Sequence, residues 1–341
     1  MYKVVLDVMG GDNAPVEIIK GGIEAINSDA NLHLVMVGKK EVVNDELKNY
    51  TYSSQQISII DAQDEITNDD VPTVAIRQKT ESSLVKTINE LRTNDEVVGM
   101  VSAGSTGAVL TGAFLKLGRI KGISRPALCP ILPTVNGGIV SIVDCGANMD
   151  CKPINLVHFA LMANAYLKSV FKIEKPRVAL LNVGTEDHKG NELSKQVFPL
   201  LKDLKEINFV GNMEARDLLS GNYDIVVTDA FAGNVLLKST EGAILNLLQM
   251  LKAEIKASTS SKIGYLFMKK SFKNLKNTID YNKKGGAVLL GCKKLVVKSH
   301  GSSKATSIKE SIKQVVDMHL ANLTEHIAKS VENVEVAVEN E

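Results

Sequence analysis

Short, continuous apolar runs recur along the chain, and a helical pattern follows each of them. The runs are KVVLDV (3–8), LHLVMVG (32–38), ISIID (57–61), EVVGMVS (96–102), GGIVSIVD (137–144), RVALLNVG (177–184), INFVG (207–211) and YDIVVTD (223–229). Strands that are apolar on both faces are typical of parallel sheets covered by helices on each side. The pattern therefore predicts a three-layer α/β/α fold with a mostly parallel sheet.

No low-complexity linker divides the 341 residues. We therefore expect one α/β/α domain over residues 1–330 and an acidic, disordered tail over residues 331–341. The chain enters a strand containing Asp7 at once and has no apolar run long enough to span a membrane, so we expect a cytoplasmic protein.

The composition argues against several classes of protein. Lys and Arg number 40 against 39 Asp and Glu, and Trp is absent, so a nucleic-acid-binding surface is disfavoured. The four cysteines form no C-x-x-C pair and no H-E-x-x-H motif occurs, so we expect no metal site. G-x-G-x-x-G, Walker and G-x-S-x-G motifs are also missing, which disfavours nucleotide binding and a serine acyl-enzyme.

Glycine-rich polar segments follow six of the predicted strands. They are MGGDNAP, SAGSTGA, DCGANMDCKP, NVGTEDHKGN, TDAFAGN and KSHGSS. Each one alone is most simply a tight turn into a helix. Because the carboxyl ends of parallel strands form one rim, six together favour a polar site rich in backbone N–H donors.

The rim is predicted to bind an anion such as phosphate, because exposed N–H groups at a helix start and nearby hydroxyls suit that ligand. For SAGSTGA the alternative is an ordinary helix cap formed by Ser105 or Thr106. The predicted phosphate- or substrate-binding residues are Gly10, Gly11, Asp12, Ser102, Gly104, Ser105, Thr106, Asp229, Asn234 and His300.

Two of the segments carry candidate catalytic residues. Lys189 and Lys152 are predicted to bind or orient phosphate, and Asn191 or Asn148 to support a developing oxyanion. The alternative for NVGTEDHKGN is a solvated loop in which Asn191 caps the next helix. A bound nucleophile would need only orientation and charge stabilisation from such residues.

Ten segments in order along residues 2–320 resemble one family, the bacterial acyl-acyl-carrier-protein:phosphate acyltransferases (the PlsX family). They are LDVMGGDNAP, VSAGSTGA, GRIKGISRPAL, LPTVNGG, DCGANMDCKP, LLNVGTEDHKGNEL, GNMEARDLL, VVTDAFAGNVLLK, GGAVLLG and HGSS. The chain departs from the family pattern at Asn13, where histidine is expected, and at Ser105, where asparagine is expected. These are the positions where family roles transfer least directly.

The resemblance implies a homodimer similar in fold to isopropylmalate dehydrogenases and phosphate acetyltransferases. It implies transfer of a fatty acyl group from acyl carrier protein to inorganic phosphate, without a cofactor. The acyl phosphate would pass to a membrane glycerol-3-phosphate acyltransferase of phospholipid synthesis. The alternatives are a short-chain phosphate acyltransferase that uses acyl-coenzyme A, and a non-catalytic, membrane-associated scaffold of lipid synthesis.

A helix that begins near Gly233 does not fit simple packing on a sheet. Its apolar stripe (244–255) and the next one (268–279) lie on different helical faces, so we expect a break between about Ser258 and Lys270 and a projecting helix pair over about 240–282. The residues predicted to contact a membrane or the acidic carrier are Lys262, Ile263, Leu266, Phe267, Met268, Lys269 and Lys270. A peripheral membrane contact and a dimer interface both fit this composition.

Overall fold

The computed structural model describes residues 1–279 and 285–338. Its strands are β1 (Tyr2–Asp7), β2 (Leu32–Gly38), β3 (Ile57–Asp61), β4 (Val97–Ser102), β5 (Ala127–Cys129), β6 (Ile131–Pro133), β7 (Ile139–Val143), β8 (Arg177–Asn182), β9 (Asn208–Glu214), β10 (Ile225–Val227), β11 (Ala287–Leu290) and β12 (Leu295–Lys298). Its helices are α1 (Val16–Ile26), α2 (Lys40–Leu47), α3 (Pro72–Gln78), α4 (Ser83–Thr93), α5 (Thr106–Gly112), α6 (Pro153–Ser169), α7 (Glu192–Asp203), α8 (Ala230–Ala257), α9 (Thr259–Ile279), α10 (Ala305–Leu320) and α11 (Leu323–Val338).

The strands form two sheets, both mostly parallel. The first has the order β3-β2-β1-β4-β12-β11-β5, and only β11 and β5 enter it through antiparallel pairings. The second has the order β6-β7-β10-β8-β9, with β6 antiparallel to β7. The predicted α/β/α class is confirmed, with the strands divided between two sheets.

Residue Pro130 marks the crossing from β5 in the first sheet to β6 in the second. Proline has no N–H to donate to a strand ladder, so it suits a point where pairing changes. Its carbonyl accepts from the Ile142 N–H (3.3 Å), and the Leu128 carbonyl accepts from the Cys145 N–H (2.9 Å). The loop after β7 is thereby tied to the strand that links the sheets.

One apolar core joins both sheets. Helix α6 is buried on nearly all sides, and its Phe159 and Tyr166 side chains are fully buried. The Tyr166 hydroxyl accepts from the Gln314 side chain of α10 (2.8 Å), so the large buried phenol keeps a polar partner. A helix that is apolar all round is expected in such an interior position.

The C-terminal segment differs from the expected disordered tail, because α11 continues to Val338. The side chains of Leu323, Ile327 and Val331 recur every four residues and are buried against the core. This helical spacing extends one apolar face past residue 330, where the sequence was expected to fray. Residues 339–341 lie outside the described part of the chain.

The helix pair breaks at Ser258, at the first residue of the expected interval. Ser258 is extended (φ −132°, ψ 154°), and its hydroxyl accepts from the Ser261 N–H (3.1 Å), which caps α9. Helix α8 begins at Ala230, one turn before the expected start near Gly233. Residues 280–282 of the predicted pair lie outside the described residues. Among the helices described, none combines the length and the hydropathy needed to cross a membrane.

Candidate functional site

Three loops interlock where β1, β4 and β12 end. The Asp12 N–H donates to the Gly301 carbonyl (2.8 Å), and the Ser299 N–H donates to the Ser102 carbonyl (2.9 Å). The Asn13 side chain donates to the carbonyls of Ser302 and Ser303 (3.0 and 3.2 Å). The amide at position 13 therefore fastens the first loop to the last.

Paired glycines let the first two loops approach each other. A Cβ atom at Gly10 would lie 2.6 Å from Asp7 Oδ2 and 2.7 Å from the Gly104 nitrogen, so only hydrogen fits there. Gly11 has φ of 109°, and a Cβ atom would lie 2.9 Å from that of Ala103. The double glycine of MGGDNAP thus serves close backbone packing.

Residue Asp7 is buried beneath this turn. Its Oδ2 accepts from the Ser102 hydroxyl (2.7 Å), whose oxygen in turn accepts from the Gly104 N–H (3.1 Å). Burial raises the pKa of Asp7, against hydrogen bonds from Ser83 and Ser102 and the charge of Lys298 that lower it. Asp7 Oδ1 has no hydrogen-bond partner within the described residues. Ser102, predicted as a ligand, is fully buried and holds the turn instead.

The last residue of β12, Lys298, places a buried cation at the same rim. Its ammonium donates to the carbonyls of Ser299 and Ala103, the latter at 3.4 Å, and only 6% of the residue is exposed. Burial lowers the pKa of Lys298 to about 8, while the charges of Asp7 and Asp12 act in the opposite direction. The sequence prediction missed this residue, although a single lysine ends an otherwise apolar strand, LVVK, immediately before SHGSS.

Two cavities meet at Lys298. The polar pocket, about 380 Å³, is lined by Asp12, Glu65, Thr67, Gly104, Ser105 and Thr106, among others. The apolar cavity, about 390 Å³, is lined by Leu110, Leu128, Ile131, Leu132 and Leu237 together with Asn234, Lys238 and His300. Both also include Thr106, Lys298 and Gly301 in their walls.

The Ser105 side chain faces this site without a capping role. Ser105 stands at the N-cap position of α5, yet its hydroxyl makes no capping hydrogen bond within the described residues. The alternative reading of SAGSTGA as a side-chain cap is therefore not the observed arrangement at Ser105. The hydroxyl lines the polar pocket.

At the mouth of the apolar cavity lies the His300 ring. Its Nδ1 accepts from the Ser302 N–H (3.2 Å) and lies 2.8 Å from the Ser302 hydroxyl, so the neutral ring carries its proton on Nε2. Partial burial and the charges of Lys238 and Lys298 lower its pKa. A neutral imidazole that carries its proton on Nε2 is a hydrogen-bond donor for this cavity.

Other predicted residues lie apart from Lys298. Asn191 caps α7 by accepting from the Ser194 N–H (2.9 Å), and Asp229 caps α8 by accepting from the Ala232 N–H (2.9 Å). Both line a third cavity of about 470 Å³, on the face of α8 opposite Asn234. Lys152 and Lys189 are exposed on loops.

The amide of Asn148 is committed to its own loop. It donates to Asp144 Oδ2 (2.7 Å) and to the Pro126 carbonyl (2.8 Å), which uses both of its hydrogens. The expected oxyanion role of Asn148 therefore lacks a donor in this structure. The Asp144 carboxylate also accepts from the N–H groups of Leu128, Ala147 and Asn148, and burial raises the pKa of Asp144 to about 6.

The fold is similar to those of solved phosphotransacetylases. A phosphotransacetylase from Streptococcus pyogenes superposes with a TM-score of 0.54 at 17% identity, over 97% of this chain and 94% of that one. The EutD phosphotransacetylase from Staphylococcus aureus gives 0.56 at 15% identity, over 96% and 94%. At these identities the likeness concerns the fold.

Sequence comparison defines the family. The family described as "Fatty acid synthesis protein" matches residues 2–326. Proteins named phosphate acyltransferase from Clostridium novyi (strain NT) and Clostridium acetobutylicum are each 45% identical, over 97% of this chain and 98% and 99% of theirs. The chain therefore belongs to this family of fatty acid synthesis proteins, the phosphate acyltransferases, and the predicted resemblance is confirmed.

The Asp144 network yields a prediction about stability. Asp144→Asn replaces one accepting oxygen by an NH₂ group that faces N–H donors, so we expect the free energy of unfolding to fall by about 2–3 kcal/mol. Asp150→Asn, at an exposed position of the same loop, should change it by less than about 0.5 kcal/mol. Urea denaturation at pH 7 measures both.

The pH dependence of the free energy of unfolding provides a second test with the same two variants. Because the folded-state pKa of Asp144, about 6, lies above its ordinary value of 3.8, protonation of this group adds stability that is fully present below pH 4 and is lost as pH rises through 6, while the hydrogen bonds of the ionised carboxylate persist at pH 7. The Asp144→Asn substitution should remove that slope. Equal stability of both variants at pH 7 would contradict the structural role given to Asp144.

Proposed function

We propose that this protein transfers a fatty acyl group from the thioester of acyl carrier protein to inorganic phosphate, giving acyl phosphate for phospholipid synthesis. The observation that carries the proposal is the position of Lys298 in the walls of both the polar pocket and the apolar cavity. An anion in the pocket and an acyl chain in the cavity would meet at one buried cation. Membership of the phosphate acyltransferase family supports the same reaction.

The polar pocket suits the nucleophile. The backbone N–H groups of Ser105 and Thr106, the Ser105 hydroxyl and the Lys298 ammonium would provide donors for phosphate oxygens. Hydrogen phosphate is itself a nucleophile, so the protein needs to orient it and to balance charge. Cys145 lines the apolar cavity, but burial raises the pKa of its thiol well above the ordinary value, which argues against a cysteine nucleophile.

The apolar cavity suits the acyl group. A phosphate oxygen would attack the thioester carbonyl held between Leu110 and Lys298, forming a C–O bond and a tetrahedral oxyanion near the ammonium. Collapse of this intermediate breaks the C–S bond and expels the thiolate. The proton released by hydrogen phosphate ends on the thiol, and His300 Nε2–H would hydrogen-bond the departing sulfur.

The roles first expected for Lys152, Lys189 and Asn191 stay predictions. None of these three lines the polar pocket or the apolar cavity. Lys298 and Ser105 are the residues we propose for phosphate, and His300 for the leaving group.

The fold likeness to phosphotransacetylases favours one competing function, acyl transfer from a short-chain acyl-coenzyme A. The proposed and the competing function differ in the acyl donor, which is acyl carrier protein in the first and coenzyme A in the second. A scaffold without catalysis is a third possibility in the same cellular setting.

A trapping assay separates the three. The protein is incubated with phosphate and either palmitoyl-acyl carrier protein or acetyl-coenzyme A, and acyl phosphate is captured with hydroxylamine. We expect phosphate-dependent hydroxamate from the carrier-bound donor at a rate at least about tenfold above that from acetyl-coenzyme A. Product from acetyl-coenzyme A alone would replace the proposal by the short-chain function, and no product from either would leave the scaffold.

The helix pair of α8 and α9 supports a second part of the proposal, contact with a membrane where a glycerol-3-phosphate acyltransferase would consume the product. Phe267 is 87% exposed and Leu266 is 68% exposed, with Lys269 and Lys270 beside them. Exposed apolar side chains flanked by lysines bind anionic lipid surfaces. In the alternative, a second copy of the chain in the predicted homodimer packs against these apolar side chains. Light scattering measures whether the dimer forms.

Liposome binding tests the membrane contact. Leu266→Glu with Phe267→Glu removes the apolar anchor and adds negative charge, so co-sedimentation with anionic vesicles should fall at least about tenfold. Asn246→Glu with Gln249→Glu adds the same charge at exposed polar positions of α8 and should retain most of the binding. Unchanged sedimentation of the apolar variant would assign Leu266 and Phe267 to packing within or between copies of this chain.

A further inference from the structure

A fourth cavity, about 600 Å³, is lined in part by Leu110 and Thr111 of α5 and by the turn that follows this helix. Its lining residues include Arg77, Arg119 and Arg125, together with Phe114 and Leu115, whose side chains are exposed. No Asp or Glu is among its lining residues in the described chain. We call it the arginine cavity.

The arginine cavity is built on an anchored loop. The Arg119 guanidinium donates to the Ser124 carbonyl and lies over the Phe114 ring, 5.5 Å from its centroid. Beneath it, the Ser124 hydroxyl accepts from the Asn155 side chain (2.7 Å) and lies 2.9 Å from His158 Nδ1. These bonds fix the segment from 119 to 126 on α6, so its arginines are positioned before a ligand binds.

Most N–H donors of these arginines have no hydrogen-bond partner within the described residues. Arg125 donates one N–H to the Asp150 carbonyl (3.3 Å). Because a guanidinium has five N–H groups, four remain for other acceptors. None of Arg77, Arg119 and Arg125 forms an ion pair within the described residues. Three guanidinium groups without a carboxylate in the same walls form a strongly anion-selective surface.

The arginine cavity is a neighbour of the apolar cavity. Leu110 lies in the walls of both. Three further elements contribute nearby residues to both cavities. At β5, Pro126 lines the arginine cavity and Leu128 the apolar one, and after β7, Ala147 lines the arginine cavity and Gly146 the apolar one. At β11, Leu289 lines the arginine cavity and Ala287 the apolar one. The same four elements therefore line both cavities, and they would border a path from the arginines to Lys298.

We propose that the arginine cavity binds the phosphodiester of a phosphopantetheine arm carried by an acidic protein, with the arm running along this path. The inference rests on the proposed function, because the thioester at the end of the arm must reach Lys298. A phosphodiester flanked by carboxylates matches three guanidinium groups in charge and geometry. Phe114 and Leu115 supply the apolar contact that a protein partner buries around such an anchor.

This assignment places the carrier contact away from the lysines of the helix pair. The Lys262, Lys269 and Lys270 side chains are exposed on α9, whereas the arginine cavity shares Leu110 with the apolar cavity that Lys298 lines. A carrier seated at the arginines delivers its thioester without crossing the polar pocket, where phosphate enters.

Direct binding of holo-acyl carrier protein, which bears the arm without an acyl group, tests the inference apart from catalysis. Arg77→Glu and Arg125→Glu should each weaken binding to the full-length protein at least about tenfold, as measured by fluorescence anisotropy at constant salt. Arg92→Glu, at an exposed position of α4, is the charge-matched control and should bind like the wild type. Arg77→Lys should recover part of the affinity, because the charge is restored without the planar fork. Circular dichroism verifies that each variant is folded.

Every outcome decides the inference. Loss of binding in the arginine variants, with apo-carrier protein bound more weakly than the holo form, supports it. Equal binding by folded Arg77→Glu and Arg125→Glu, no binding by the wild type, or loss only in Lys269→Glu with Lys270→Glu would overturn it. Binding of coenzyme A in preference to the carrier would assign the cavity to a nucleotide and also overturn it. Absence of acyl phosphate in the trapping assay would count against the proposed function. The binding assay does not depend on turnover, so it would still test whether the arginine cavity binds the carrier.

Discussion

The buried ammonium of Lys298 is the constraint on which the site depends. Removing a charge from water is costly unless partners replace its hydration, and here the partners are the carbonyls of Ser299 and Ala103 and the nearby Asp7 carboxylate. Those groups belong to the ends of three adjacent strands. Burial lowers the pKa of Lys298 to about 8, as expected where partners replace only part of the hydration of an ammonium. An anion that binds beside the ammonium would replace the rest, which is why we place phosphate there.

Much of the surrounding structure keeps these strand ends in register. Gly10 and Gly104 approach closely because neither has a Cβ atom, and Asn13 binds the loop that carries His300 and Gly301. Asn13 thus holds two loops together by hydrogen bonds. The proposed reaction needs no titrating group at this position, so it does not require the histidine that the family pattern has there. The Asp7 carboxylate holds Ser102, which orients the Gly104 N–H toward the same turn.

The sequence was sufficient to predict the fold class, because continuous apolar strands and helical spacing report directly on burial. It also identified the strand ends that gather around Lys298, including Gly11, Asp12, Ser105 and Thr106. It did not predict two sheets, since the division depends on how β5 and β6 pair around Pro130, a long-range choice. Because a single sheet was expected, Asn191 and Asp229 were predicted on the same rim as Gly11 and Ser105. They line a separate cavity on the face of α8 opposite Asn234.

Single side chains were harder to predict than the loops that carry them. Lys298 was missed because a lysine at a strand end is usually exposed, and its burial depends on the neighbouring strand β4 and on β1 beyond it. Asn148 was expected to face a substrate, yet its amide is used by Asp144 and Pro126. The helix break was predicted from the rotation of two apolar stripes, but its place at Ser258 depends on one local hydroxyl cap.

The most direct test of this account is the affinity for inorganic phosphate as a function of pH, measured by isothermal titration calorimetry. For the wild type we predict that binding weakens as pH rises through about 8, where Lys298 loses its proton. Lys298→Met should bind at least about tenfold more weakly at pH 7 and lack this pH step, whereas Lys293→Met, at an exposed position, should resemble the wild type. Phosphate binding by folded Lys298→Met that equals the wild type in strength and pH dependence would contradict the central role given to this residue.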